Sequence, residues 1–218
     1  MHPRVFTGIR LFFLLSTVVY TIIMNKRDLE FLYEIGTLRN MQRGWGQHIT
    51  LPTASIAEHM YRVLWTAVIL GRMEKADETK IIHMAMAHDL AETRTADLGY
   101  IQKVYVQDDE KKAAKDALAG TIIENFYAEY LHEYEARESL EAKIVKDADN
   151  LDIDLELREL QGNGFPMPKD WPEFRKMIRD TKLYTESAKQ LWDEIQNSDV
   201  HHWHVAANKW LKIPDAGT

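Results

Sequence analysis

The chain has 218 residues, 45% of them hydrophobic, which suits one folded domain with a sizeable core. Its 34 Asp and Glu residues outnumber 27 Lys and Arg residues, and the net charge of −7 disfavours binding to a nucleic-acid backbone. Cysteine is absent, so disulfide frameworks, thiolate metal sites and cysteine nucleophiles are excluded, and we expect a reducing, cytoplasmic location.

The first 24 residues form a hydrophobic N-terminal extension. Leu11 to Ile23 is almost wholly apolar, and Arg10 interrupts the run on its N-terminal side. The run is shorter than the about 20 residues of a full membrane span, and no small-x-small cleavage site follows it. Two interpretations remain, an uncleaved anchor or an extension upstream of a start at Met24. We favour the second, with residues 25–218 as the working domain, and expect no membrane association unless residues 1–24 are retained as an anchor.

The next part of the chain has a helical pattern of apolar residues. Asp28 to Met41 predicts a helix, and Gly44-Trp45-Gly46 breaks the chain after it. Ser55-Ile56-Ala57-Glu58 is a capping-box pattern, which predicts the start of a second helix. A third helix is predicted from about Asp77 to Ala91.

The remaining pattern is also helical. Asp109 to Tyr130 predicts an amphipathic helix, followed by a polar segment from His132 to Arg137 and a long helix from Ser139 to Leu160. After the loop Gly162 to Pro168, Asp170-Trp171-Pro172-Glu173 predicts the start of a helix that continues to about Ile195. Because no alternating run is long enough for a strand, the sequence predicts an all-α fold without a Gly-rich phosphate loop.

Four polar residues occur where these helices should carry apolar side chains. They are His59, the adjacent pair His88 and Asp89, and Asp149 beside Ala148. Burial of an unpartnered neutral polar group costs about 2–7 kcal/mol, and burial of a charge costs more. A divalent metal would compensate for this cost, and helical bundles build such sites from inward side chains of facing helices. Two imidazoles and two carboxylates suit Mn²⁺, Co²⁺, Fe²⁺, Ni²⁺ or Zn²⁺ better than Ca²⁺.

Residues near these four suggest the chemistry of a phosphate ester. Open metal positions would hold water and a phosphate oxygen, which is the requirement of phosphoester hydrolysis. Glu92 follows Asp89 by one helical turn, so we expect it to be the general base. Asp97 would orient the water or contact the substrate, while Arg43 and Trp45 would offer a phosphate clamp and an aromatic wall.

Taken singly, each of these residues would more often be a satisfied or exposed side chain than a ligand. Asp147 and Asp152 flank Asp149, and we expect them to be solvated. The aromatic residues after the loop, Trp171 among them, are most simply interpreted as core or dimer interface.

The order His59, His88 with Asp89, and Asp149 resembles the H…HD…D signature of the HD-domain metal-dependent phosphohydrolases. Four ordered blocks extend the resemblance over residues 29–160 to the branch with the bacterial 5′-deoxynucleotidases and the HD domain-containing protein 2 group: Arg43-Gly44-Trp45, Ala57 to Arg62, His88 to Glu92 with Asp97-Leu98, and Lys146 to Asp149. This resemblance implies a compact HD-domain helical bundle with one divalent metal between its helices.

The resemblance also implies roles for individual residues. His59, His88, Asp89 and Asp149 would bind the metal, which could be Mn, Co, Fe, Ni, Zn or Mg. Glu92 and Asp97 would be catalytic, and Arg43, Trp45 and Asp97 would contact the substrate, although Gly44 separates Arg43 from Trp45 here.

The implied activity is removal of phosphate from deoxyribonucleoside 5′-monophosphates by a homodimer with residues 25–218 as its HD phosphohydrolase domain. Alternatives are a triphosphate or cyclic-nucleotide phosphohydrolase, and a non-catalytic ligand-sensing module. In each case we expect a small nucleotide as partner and no nucleic acid.

Overall fold

The computed structural model describes residues 25–206 except 50, 52 and 108, so the predicted N-terminal extension lies outside the described residues. The described chain is helical, as the sequence predicts, and its α-helices, in order, are α1 Lys26–Ile35, α2 Ile56–Glu74, α3 Glu78–Ala87, α4 Glu92–Thr95, α5 Gln102–Tyr105, α6 Glu110–Leu118, α7 His132–Ala136, α8 Leu140–Gly162, α9 Trp171–Lys182, α10 Glu186–Asn197 and α11 His202–Ala206. Short 3₁₀ segments occupy Gly36–Asn40 and Gly44–His48, and a π-helical turn occupies Tyr127–Leu131. Within the described residues, the extended pairing is limited to one bridge between Gln42 and Ser55.

Helix α2 lies at the centre of the bundle, where it packs most extensively against α8 and α3. Its start is fixed by the predicted capping box, in which Glu58 accepts a hydrogen bond from the Ser55 amide at 2.7 Å and the Ser55 hydroxyl accepts one from the Glu58 amide. The core between these helices is fully buried and apolar, and includes Val63, Leu70, Ile81, Met84, Ile144, Val145 and Leu151. This rigid packing fixes the relative positions of the polar residues on α2 and α8.

A second apolar cluster lies beside the first, between the end of α3, helix α6 and the π-helical turn. Its buried members include Leu90, Leu118, Phe126 and Leu131. Since Leu90 directly follows His88 and Asp89, burial of Leu90 anchors the segment that carries this polar pair.

The predicted helix from Asp77 to Ala91 ends earlier, at Ala87. The amides of Leu90 and Glu92 bond to carbonyls three residues before them, so the chain tightens into turns before α4 begins. His88 and Asp89 therefore lie in a turn rather than on a helix.

The predicted helix from Asp109 to Tyr130 is also broken. Helix α6 ends at Leu118 and the chain turns at Gly120, whose φ of 71° is in the left-handed region that suits glycine. The segment from His132 to Arg137, predicted only as a polar stretch, is helical and forms α7 as far as Ala136.

A buried carboxylate accounts for the break in the predicted helix from Asp170 to Ile195. Asp147 is fully buried and accepts hydrogen bonds from the amides of Tyr184 and Thr185 at 2.7 and 2.9 Å. Thr185 then caps α10 by accepting a bond from the Ala188 amide. The expectation that Asp147 is solvated was therefore wrong, because α9 and α10 meet over it.

The apolar segments of the described bundle serve packing between helices. No helix among the described residues has the length and hydrophobicity needed to cross a membrane.

Candidate metal centre

The four predicted metal ligands come together from two helices and one turn. His59 is fully buried on α2, and Asp149 lies on α8, the helix that packs most extensively against α2. His88 and Asp89 approach them from the turn that follows α3. Residues distant in sequence therefore meet at one point because the core between α2, α3 and α8 is closely packed.

The atoms that could bind a metal lie close together. Nε2 of His59 is 3.3 Å from Nε2 of His88, and each of these atoms is 3.3 Å from Oδ2 of Asp89. Oδ1 of Asp149 lies 3.3 Å from Nε2 of His59. The donor atoms of His59, His88 and Asp89 lie within 4.8 Å of one another and could hold a metal ion.

The second nitrogen of each histidine determines which atom faces this centre. Nδ1 of His59 lies 2.7 Å from the Asp152 carboxylate, and Nδ1 of His88 lies 2.8 Å from the Ala85 carbonyl. Because these oxygens act as hydrogen-bond acceptors, Nδ1 carries the proton in both rings. In a neutral ring, Nε2 is then unprotonated and has a lone pair with which it can bind a metal. Two such nitrogens and two carboxylates can lie this close only with positive charge among them, so the donor set fits a divalent cation.

The pKa values of this cluster reflect the same demand for positive charge. Burial opposes a charge on His59, but the carboxylates of Asp149, Asp152 and Asp89 outweigh it and raise the pKa of His59 to about 11. Burial likewise opposes ionisation of Asp149, but Lys146 and His59 hold the pKa of its carboxyl well below the usual value. The carboxylates around His59 and the cations around Asp149 therefore favour the charged form of both side chains.

We expect metal binding to release at least one proton at neutral pH. A cation that binds Nε2 of His59 must displace its proton, because the pKa of this ring is about 11. Metal affinity should consequently rise with pH, about tenfold per pH unit for each proton displaced. Calorimetric titration in buffers of different ionisation enthalpy measures this release, and proton-free binding with the same affinity at every neutral pH would contradict the prediction.

Arg43 lies within the cluster of carboxylates. Its guanidinium is 3.1 Å from Oδ2 of Asp89 and 3.2 Å from Oδ2 of Asp97, and the side chain is buried. The Gly44 amide donates to the same Asp97 carboxylate at 3.0 Å. A Cβ on Gly44 would come within 2.3 Å of the Asp97 carbonyl oxygen, so only glycine allows this approach between Arg43 and Trp45.

Glu92 begins α4 and is buried beside the cluster. Burial, reinforced by the charges of Asp89 and Asp97, raises the pKa of its carboxyl to about 9. Oε2 of Glu92 has no hydrogen-bond partner among the described residues, although it is buried. A buried acid with a raised pKa and an unused oxygen is typical of a group that exchanges a proton with a ligand.

A cavity of about 660 Å³ opens beside these residues. His88, Asp89, Glu92, Asp97 and Asp149 all line it. The volume is in the range of sites that bind small molecules.

An aromatic wall bounds part of the same cavity. The rings of Trp45 and Trp171 meet edge to face with their centroids 6.0 Å apart, and both line the cavity. Nε1 of Trp45 is buried and has no partner among the described residues. Trp171 was expected in the core or a dimer interface, but it lies in this wall at the start of α9.

A carboxylate that was not predicted as part of the site, Asp152, contacts the predicted ligand His59. Asp152 was expected to be solvated, but its side chain is 1% exposed because it lies between His59 and Arg62. Asp152 follows Asp149 by three residues, one turn along α8, and this spacing is the feature of the sequence that places both carboxylates on the same face of the helix. A carboxylate on the far nitrogen of a metal-binding imidazole fixes the orientation of the ring.

We expect Asp152→Asn to weaken metal binding by about 10–100-fold, the usual effect of losing such a partner. Asp147→Asn is the matched control, because Asp147 is equally buried on the same helix but bonds to the start of α10. It should lower thermal stability and leave metal affinity unchanged. Metal titration of both variants tests this role, and equal affinities would show that Asp152 is only structural.

Known proteins resemble this chain in sequence and in fold. A family model described as HD domain matches residues 35–197. The Dictyostelium discoideum protein named 5′-deoxynucleotidase HDDC2 is 31% identical over 148 residues, which cover 61% of this chain and 77% of that protein. The Saccharomyces cerevisiae protein named 5′-deoxynucleotidase YGK1 is 29% identical over 165 residues, or 71% and 76% of the two chains. The solved structure of PH0347 from Pyrococcus horikoshii OT3 is 29% identical, with a TM-score of 0.61 over 78% of this chain and 98% of that one.

Proposed function

This chain belongs to the HD domain family, and on that basis we propose that it is a metal-dependent phosphohydrolase that removes phosphate from small nucleotides. The names of the Dictyostelium and yeast relatives support deoxyribonucleoside 5′-monophosphates as the substrates. The observation that carries the proposal is the convergence of His59, His88 and Asp89 beside a cavity that also contains the buried acid Glu92.

In this proposal His59, His88, Asp89 and Asp149 hold one divalent metal, with Mn²⁺, Co²⁺, Fe²⁺, Ni²⁺, Zn²⁺ and Mg²⁺ as candidates. When bound, such a cation lowers the pKa of water and neutralises negative charge on the phosphoryl group. The protein contributes the orientation of both imidazoles through their Nδ1 partners, so that each ring is fixed before the metal arrives.

Glu92 is the proposed general base. Burial raises the pKa of its carboxyl to about 9, so its deprotonated form is a stronger base than an ordinary glutamate, and the positive charge of a bound cation would favour that form at neutral pH. It accepts one proton from the attacking water as the new P–O bond forms. As the bond from phosphorus to the 5′ oxygen breaks, Glu92 can return this proton to the leaving oxygen and regain its starting state.

Asp97, Arg43 and Trp45 are the proposed contacts around the reacting groups. The hydrogen bond from the Gly44 amide to Asp97 and the ion pair between Asp97 and Arg43 support a fixed position of Asp97 beside the water and the sugar. The unpartnered Nε1 of Trp45 supports a hydrogen bond from its ring to the substrate. The homodimer and the cytoplasmic location expected from the sequence remain predictions.

A panel of phosphate-release assays tests the substrate class. The panel contains deoxyribonucleoside and ribonucleoside 5′-monophosphates, the corresponding triphosphates and cyclic nucleotides, each with Mn²⁺, Co²⁺ or Mg²⁺. We expect the fastest release from deoxyribonucleoside 5′-monophosphates. Turnover of triphosphates or cyclic nucleotides alone would support those alternatives instead, and nucleotide binding without any turnover would support a ligand-sensing module.

A further inference from the structure

The cavity contains cations that differ in how they are paired. Five cationic side chains among the described residues line it: Arg43, Lys103, Arg137, Lys146 and Arg175. Carboxylates form ion pairs with four of them, in the pairs Arg43–Asp89, Lys103–Glu110, Lys146–Asp149 and Arg175–Asp154. Arg137 is the cation of this group for which the described residues provide no carboxylate partner, and Lys146 lies beside the predicted metal ligands with one of its three N–H donors on Asp149.

Arg137 lines the cavity with N–H groups that are available to bind an anion. Its guanidinium carbon lies 3.3 Å from the centroid of the Tyr134 ring, and one Nη donates to the Tyr134 carbonyl. The Tyr134 ring in turn meets the His88 ring with centroids 6.1 Å apart. No carboxylate among the described residues forms an ion pair with Arg137, so most of its five N–H donors have no anionic partner.

Lys146 lies closer to the predicted metal ligands. Its ammonium is 2.6 Å from Oδ2 of Asp149 and the side chain is 36% exposed, which leaves N–H donors for the cavity. Asp149 raises the pKa of this ammonium above its ordinary value, and Arg137 opposes the rise, so the two cations are near enough to influence one another. Asp149 accounts for one positive charge of this pair, and the second is left without a carboxylate partner among the described residues.

We propose that Lys146 and Arg137 together form the subsite for the phosphoryl group of the substrate, beside the metal ligands. The inference rests on the proposed function, because a phosphate monoester supplies the anion. Lysine offers a compact charge and arginine a planar fork, and both are common phosphate-binding groups. The ester then points its organic group toward Trp45 and Trp171.

This subsite differs from the one that the sequence suggested. Arg43 was expected to clamp the phosphate, but its guanidinium donates to Asp89 and forms an ion pair with Asp97. Arg43 therefore serves to hold carboxylates in place, while the phosphate contacts come from α8 and from the residue after α7.

The test uses Arg137→Gly in the metal-loaded protein. Arg137 has a φ of 56°, a conformation that glycine adopts more readily than arginine, so this variant should fold. Lys75→Gly is the matched control, because it removes an exposed cation at the same kind of helix end, with a φ of 58°, outside the cavity. Arg137→Lys tests rescue by a second cation.

Two ligands separate the phosphate subsite from the rest of the cavity. We expect Arg137→Gly to weaken binding of inorganic phosphate about tenfold or more, as for loss of a charged hydrogen bond, to leave binding of a deoxynucleoside unchanged, and to raise KM more than it lowers kcat. Lys75→Gly should match the wild type, and Arg137→Lys should recover part of the phosphate affinity. Equal phosphate affinity in the wild type and Arg137→Gly, or equal loss of phosphate and deoxynucleoside binding, would overturn the proposal. Because phosphate binding is measured without turnover, failure of the proposed function would be seen separately, as a wild type that binds phosphate but releases none from nucleotides.

Discussion

Glu92→Gln is expected to lower kcat by about 10²–10⁴-fold, the contribution of a positioned general base. Glutamine keeps the size of the side chain but cannot accept the proton of the attacking water. Metal affinity should change little, because Glu92 is not among the predicted ligands. The measurement is steady-state phosphate release at saturating metal, with bound metal determined in the same preparation.

Two controls make the Glu92 result specific. Glu186→Gln alters an exposed carboxylate that pairs with Lys189 on the surface, and it should retain wild-type turnover. Thermal unfolding of Glu92→Gln should match the wild type or exceed it, because an acid with an unpartnered buried oxygen is removed. A fully active Glu92→Gln enzyme with its metal bound would contradict the assignment of Glu92 as the base.

Asp89→Ala is expected to abolish metal binding and, with it, turnover. Asp89 provides the oxygen that lies 3.3 Å from Nε2 of both His59 and His88. Loss of this oxygen removes the ligand that links the two imidazoles and leaves Arg43 with one fewer carboxylate. Its effect therefore differs from that of Glu92→Gln, since bound metal and activity should disappear together.

The control for Asp89 is an aspartate of the surface. Asp180→Ala removes a carboxylate that is 41% exposed and pairs with Lys176, so metal content and turnover should be unchanged. Inductively coupled plasma mass spectrometry of the desalted proteins gives the bound metal. An Asp89→Ala protein that still binds one metal per chain with wild-type affinity would exclude Asp89 as a ligand.

Local sequence patterns were sufficient to predict the fold class and to single out the ligand candidates, whereas the convergence of the four was implied by the resemblance to the HD-domain phosphohydrolases. The Ser55 to Glu58 capping box has a local physical basis, and the structure contains it as expected. His59, His88 and Asp89 stood out because polar groups at apolar positions need partners, and this requirement holds whatever the detailed packing.

Other features depend on contacts between distant parts of the chain. The break between α9 and α10 follows from bonds between Asp147 and the segment at Tyr184, which no local pattern encodes. Asp152 looks solvated in sequence because its partners His59 and Arg62 are supplied by another helix. Whether Arg137 can bind an anion depends on which carboxylates lie beside it and beside the other cations of the cavity. These neighbours are set by the folded chain and not by the local sequence.

Metal titration of the chelator-treated protein tests whether phosphate release depends on a metal held by these residues. Bound metal and phosphate release from a deoxyribonucleoside 5′-monophosphate are followed together as Mn²⁺ or Co²⁺ is added. We expect no release without metal, then an increase in proportion to bound metal that saturates at one ion per chain. Undiminished release from the metal-free protein, or saturation of metal binding without any release, would contradict this expectation.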